Sequence, residues 1–123
     1  MDHRHLSRLL ALGRVALGVG LTVAPRRIGA AWVGDAADQP GATVLARALG
    51  VRDVALGVGV LGALDRGDPS VRHWVTWAAA ADAVDAAASV LAFGTLPRGR
   101  RVAVVALATS AAVVGWAARD RLE

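Results

Sequence analysis

The sequence predicts an all-α protein, a bundle of four membrane-spanning helices with antiparallel neighbours and short loops. Three observations predict it. Four long apolar stretches run through a chain of 123 residues. Most charged residues gather in short runs between those stretches, as they do where helix ends meet lipid headgroups. Each stretch is bounded by proline, arginine or tryptophan, the residues that stop a helix or anchor it at a bilayer surface.

The first stretch, about residues 6–24, ends at Pro25-Arg26-Arg27, where proline cannot continue the hydrogen-bond ladder. A connecting segment follows from Ile28 to Ala42, with Trp32, Asp35, Asp38 and the breaker Pro40-Gly41. The second stretch, Thr43 to Leu64, would rise about 33 Å, close to a hydrocarbon core. Asp65-Arg66-Gly67 ends it, and Asp68-Pro69 supplies an N-cap and a first-turn proline for the next helix. The third helix is expected over 70–96, with Trp74 and Trp77 near its start and Pro97 at its stop. The fourth is expected over 101–119, and from Val102 to Ala118 it is apolar all round except at Thr109 and Ser110. All 123 residues form one membrane domain in this reading.

Two other readings of these stretches fit less well. Arg4 and Arg8 before an apolar run resemble a cleavable leader, but three further apolar stretches follow. A water-soluble four-helix bundle needs a polar face on every helix, and the fourth has none. Composition excludes several chemistries. There is no cysteine, hence no disulfide, thiolate metal site or cysteine nucleophile. All 14 basic residues are arginine, as in a GC-rich bacterial genome. They lie mostly at helix ends, so the pI of about 11.4 does not indicate nucleic-acid binding.

A repeat relates the first two helices. Residues 11–20 read ALGRVALGVG and residues 48–59 read ALGVRDVALGVG. The small residues Gly18, Gly20, Gly50, Gly57 and Gly59 let helix backbones approach closely, which is how helices associate in lipid. They predict packing within the chain, self-association, or pairing with another membrane protein.

Six ionisable residues interrupt the apolar stretches: Arg14, Arg47, Arg52, Asp53, Asp82 and Asp85. A charge at the centre of a membrane helix costs about 2.5–3.5 kcal/mol, so three positive and three negative groups are expected to pair. Asp82 and Asp85 share a helix face, predicted to meet Arg14 and Arg52, and Asp53 is predicted to pair with Arg14 or Arg47. The first three helices should therefore enclose a charged centre, with the fourth packed outside. The network is read as a register-fixing structural element. The alternative is a proton path or polar pocket in a small carrier.

The string Arg47-Ala-Leu-Gly-Val-Arg-Asp-Val-Ala-Leu-Gly-Val-Gly59, with an earlier Leu-Gly-Arg helix, a Trp-Val-Gly loop and an aspartate-bearing third helix, resembles a family of small four-helix bacterial integral membrane proteins of unknown function. The resemblance implies a topology and no activity.

Enzyme signatures are missing: there is no His-Glu-x-x-His, phosphate loop or Gly-x-Ser-x-Gly. Gly-Val-Gly lies inside apolar helices and not after a strand, which argues against a dinucleotide site. His3, His5 and His73 read as solvated or interfacial side chains, and Asp35 with Asp38 is too few oxygen ligands for calcium. No enzyme activity, cofactor or metal is expected. Four spans place Arg4, Arg8, Arg66, Arg72, Arg119 and Arg121 on one side and Arg26, Arg27, Arg98, Arg100 and Arg101 on the other. That near balance leans only slightly towards cytoplasmic termini. It is also what a dually inserting protein shows, as in the small multidrug transporters of similar length. This chain departs from them in carrying Arg14, and no glutamate, in its first helix. The expected protein is a multi-pass component of the cell membrane with a structural or interaction role.

Overall fold

The structure, a computed structural model, describes residues 2–122. It contains five α-helices: α1 (His3–Val23), α2 (Pro25–Val33), α3 (Pro40–Arg66), α4 (Val71–Leu91) and α5 (Arg101–Arg119). Short 3-10 turns cover Gly34–Asp38 and Phe93–Thr95. Among the described residues there is no strand. At about 1.5 Å per residue, α1 and α4 are about 31 Å long, α5 about 28 Å and α3 about 40 Å.

The segment expected to connect the first two long helices is itself largely helical. Pro25 ends α1 because it offers no N–H, and its fixed φ suits the first position of α2. Pro25 and Gly29, four apart, are the buried face of that short helix. The helix expected to reach residue 96 stops at Leu91 instead. Gly94 favours helix poorly, and Pro97 holds Leu96 in extended backbone at φ −73°, ψ 151°. Gly67 closes α3 in the left-handed region at φ 62°, and the next N–H, of Asp68, reaches back to Ala63 O at 2.9 Å. Asp68 then accepts a hydrogen bond from Ser70 N at 2.8 Å, turning the chain into α4.

The four long helices run up and down in turn. α1 packs along α3 and α4 along α5, with slimmer seams between α3 and α4 and between α1 and α5. One end, the terminal end, holds the start of α1, the α3–α4 turn and the last turn of α5. The other, the α2 end, holds α2 and the α4–α5 loop. The apolar core lies towards the terminal end, built from Ala11, Val60, Ala63, Leu64, Val71, Val75 and Leu122. At the α2 end, Trp32 Nε1 donates to Ser89 Oγ at 3.2 Å, and Arg100 donates to Ala30 O at 2.9 Å.

Backbone comes close to backbone at glycines along the α1–α3 seam. A Cβ on Gly18 would sit 2.5 Å from Gly50 O and 2.8 Å from Val54 N. A Cβ on Gly57 would sit 2.8 Å from Ala11 O and 2.6 Å from Val15 Cγ2. These are one contact seen twice. If Arg14–Gly20 is matched to Asp53–Gly59, as the repeat aligns them, Gly18 becomes Gly57, Gly50 becomes Ala11 and Val54 becomes Val15. The two helices are thus related by a pseudo-two-fold axis perpendicular to their length, passing through the Arg14–Asp53 pair. Gly59 faces the ring of Trp74 on α4, and Gly20 faces Ile28 of α2. Each glycine singled out in the sequence therefore meets another part of the chain.

By length and composition α1 and α5 qualify as membrane-spanning helices. Helices α3 and α4 are as long, but carry Arg52, Asp53, Asp82 and Asp85 in their middle turns. The expected four spans thus narrow to two on this criterion.

Candidate functional site

Halfway along the bundle, five side chains form one continuous ionic chain: Asp82, Arg14, Asp53, Arg52, Asp85. Arg14 enters from α1 and forks. Its Nη1 donates to Asp53 Oδ1 at 3.0 Å, while its Nη2 meets Asp82 Oδ2 and also points to Ala78 O at 3.4 Å. Arg52 donates from Nε and Nη2 to Asp53 Oδ1 at 3.3 and 3.1 Å. It also clasps Asp85 with two parallel bonds of 3.1 and 2.7 Å. This is the fork-on-carboxylate geometry that a guanidinium suits and an ammonium does not.

Helical spacing explains the assembly. Asp82 and Asp85 lie three apart, hence on one face of α4, and one arginine reaches each of them. Arg52 and Asp53 are neighbours on α3, so Asp53 turns into the bundle while Arg52 stays at the α3–α4 seam. Burial follows that order: side-chain exposure is 6% at Asp53, 12% at Arg14 and 15% at Asp82, rising to 25% at Asp85 and 32% at Arg52. The network is closed on the α1 side and opens at the slim α3–α4 seam. Helix α5 contributes no residue to it.

Arg47, counted among the six on charge balance, lies outside. Its Nε donates to Thr22 O at 3.3 Å, at the end of α1, where carbonyls run out of helical donors. Six residues before Asp53, it sits about 9 Å away along α3 and about 120° round it. Arg47 is a cap on α1, favourably placed at the negative end of that helix dipole. The consequence is an unequal count: two guanidinium groups face three carboxyl groups. The Ala78 carbonyl was not legible as a partner, because a backbone acceptor leaves no mark in residue type. Ser89 could have been found, since it follows Asp85 by four residues and so falls on the same face.

Elsewhere the charged groups lie at the bundle ends. Arg8 pairs with Asp65 at 2.6 Å, and Arg72 and Arg119 both reach Asp120 Oδ1. Among the described residues no group of three or more metal-ligating side chains forms. No protein-family model, curated protein or solved structure matches the chain.

Proposed function

We propose that the chain is a four-span protein of the cell membrane, and that its ionic chain is a structural clamp that sets the register of α1, α3 and α4. One observation carries this reading: charge is buried in mid-bundle while large apolar side chains face outwards. Asp53 is 4% exposed, whereas Leu91, Val23, Leu45 and Trp77 are 65–89% exposed. Large apolar side chains face outwards on all four long helices, and among the described residues none is fully buried. In water such a surface would drive aggregation, but in lipid it is solvated. The mid-helix charges of α3 and α4 that lower their apolar character are the ones that pair with each other and with Arg14. Unpaired, five such charges would cost on the order of 12–18 kcal/mol at the bilayer centre. Pairing therefore supports spanning by α3 and α4 as well, and it agrees with the resemblance to small four-helix membrane proteins.

Carbonate washing of membranes expressing the full chain tests this reading. The protein is expected to stay in the pellet, and release into the wash as a soluble species overturns the proposal.

The third carboxyl group favours a second reading, in which the network serves a small proton-coupled carrier. Its pseudo-two-fold setting, with Asp53 at the axis between inverted helices, resembles the repeat-interface sites that secondary transporters use for coupling ions. Purified protein in vesicles loaded with a pH-sensitive dye separates the two. The carrier reading expects proton flux that Asp82→Asn abolishes while leaving the protein folded, and the clamp reading expects none from either protein.

A further inference from the structure

A groove of about 380 Å³ runs between α4 and α5, lined by Ala79, Ala83, Ala112, Val113, Trp116 and Ala117. Every one of these side chains is apolar, and the alanines leave a channel where larger residues would have closed the seam. Towards the terminal end the character changes within one turn. The Arg119 guanidinium lies over the Trp116 ring, 3.4 Å from its centre. Asp120 Oδ1 then takes Arg119 Nε at 3.0 Å and Arg72 Nη2, from the start of α4, at 3.7 Å. Among the described residues, two arginines thus share one carboxylate at the mouth of the groove. Tryptophan beside arginine is the pairing expected at headgroup level.

We infer that this groove is a binding site for an anionic phospholipid. One acyl chain lies along the alanine channel, and the phosphate sits at Arg72 and Arg119. The dimensions agree: from Arg119 back to Ala112 the helix descends about 10 Å, a depth an acyl chain reaches from its headgroup. A second copy of this chain fits less well, because it would set a like-charged arginine pair near this one. A zwitterionic lipid would fill the channel but bring no net charge to the one positive charge that Asp120 leaves uncompensated.

The inference rests on the membrane-spanning reading, so its test uses protein already shown to resist carbonate washing. The full chain is purified in detergent with equal phosphatidylglycerol and phosphatidylcholine, and retained lipid is counted by native mass spectrometry. One retained phosphatidylglycerol is expected, favoured over phosphatidylcholine. Arg72→Gln and Arg119→Gln should each reduce that preference about fivefold, and Ala83→Phe should empty the groove of both lipids. Arg98→Gln, at the opposite end, should change nothing, and circular dichroism checks that each variant is helical. Equal retention of the two lipids by the unaltered chain overturns the inference, as does an undiminished preference in both arginine variants. Neither result touches the spanning reading, which carbonate washing tests separately.

Discussion

At the scale of single residues, the ionic chain makes unequal demands on its members. Asp53 accepts from both arginines, so Asp53→Ala leaves two guanidinium groups facing each other in a nearly closed space. Removing one partner of such a buried pair costs about 3–5 kcal/mol. Arg14→Ala is expected in the same range, and Arg47→Ala, which loses only a cap, at about 1 kcal/mol or less. Unfolding titrations in mixed detergent micelles measure all three, and equal losses would return Arg47 to the network. Exchanging Arg14 and Asp53 should not rescue the fold although the two positions are related by pseudo-symmetry. The carboxylate moved onto α1 would face Asp82, and the guanidinium moved onto α3 would lie against Arg52. The spacing of Asp82 and Asp85 makes their shared face legible in the sequence. Counting charges misplaces Arg47 because it ignores position along and around a helix, whereas the period of 3.6 residues already sets this residue off the Asp53 face.

At the scale of elements, the repeated string makes equal predictions for two glycines. Gly18→Ala and Gly57→Ala each drive a methyl group into opposing backbone, and overpacking of this kind costs about 1–3 kcal/mol. Because the contacts are equivalent, the two losses should match closely, whereas Gly13→Ala meets nothing within 4 Å and should stabilise by up to about 1 kcal/mol. A large difference between Gly18 and Gly57 in the same unfolding titration would remove the pseudo-two-fold axis. The turn into α4 carries a pH signature. The Ser70 N–H holds the Asp68 carboxyl below its ordinary value of 3.8. Its contribution is therefore present above that value and lost as pH falls from there through the lowered one. Melting temperatures taken between pH 6 and 3 should fall more for the unaltered chain than for Asp68→Asn, and parallel curves would contradict the assignment. Four long helices and their breakers were legible because proline, glycine and charge punctuate them. Helix α2 was not, since Pro25 reads as a stop while serving equally as a start. Nor was the early end of α4, where the decision belongs to Gly94 and Pro97 jointly.

At the scale of the whole molecule, the bundle is turned outside in, with an apolar mantle, a charged waist and arginine at both ends. On the proposed four-span reading, the waist accounts for composition marking only α1 and α5 as spans: hydropathy counts each charge as solitary, while the fold supplies its partner. With Arg47 at the α2 end, arginines number six at each end, so charge sets no orientation. The chain has no cysteine, which makes accessibility scanning direct. Single cysteines at Arg66 and Gly99 mark the two ends, and cysteines at Val51, Val84 and Val113 mark the mantle at the depth of the waist. In sealed membrane vesicles a water-soluble maleimide, applied to one side and then to both after permeabilisation, is expected to label Arg66→Cys and Gly99→Cys but none of the three mantle positions. Ready labelling of Val51→Cys and Val84→Cys from water would show that α3 and α4 do not span, and would contradict the four-span reading.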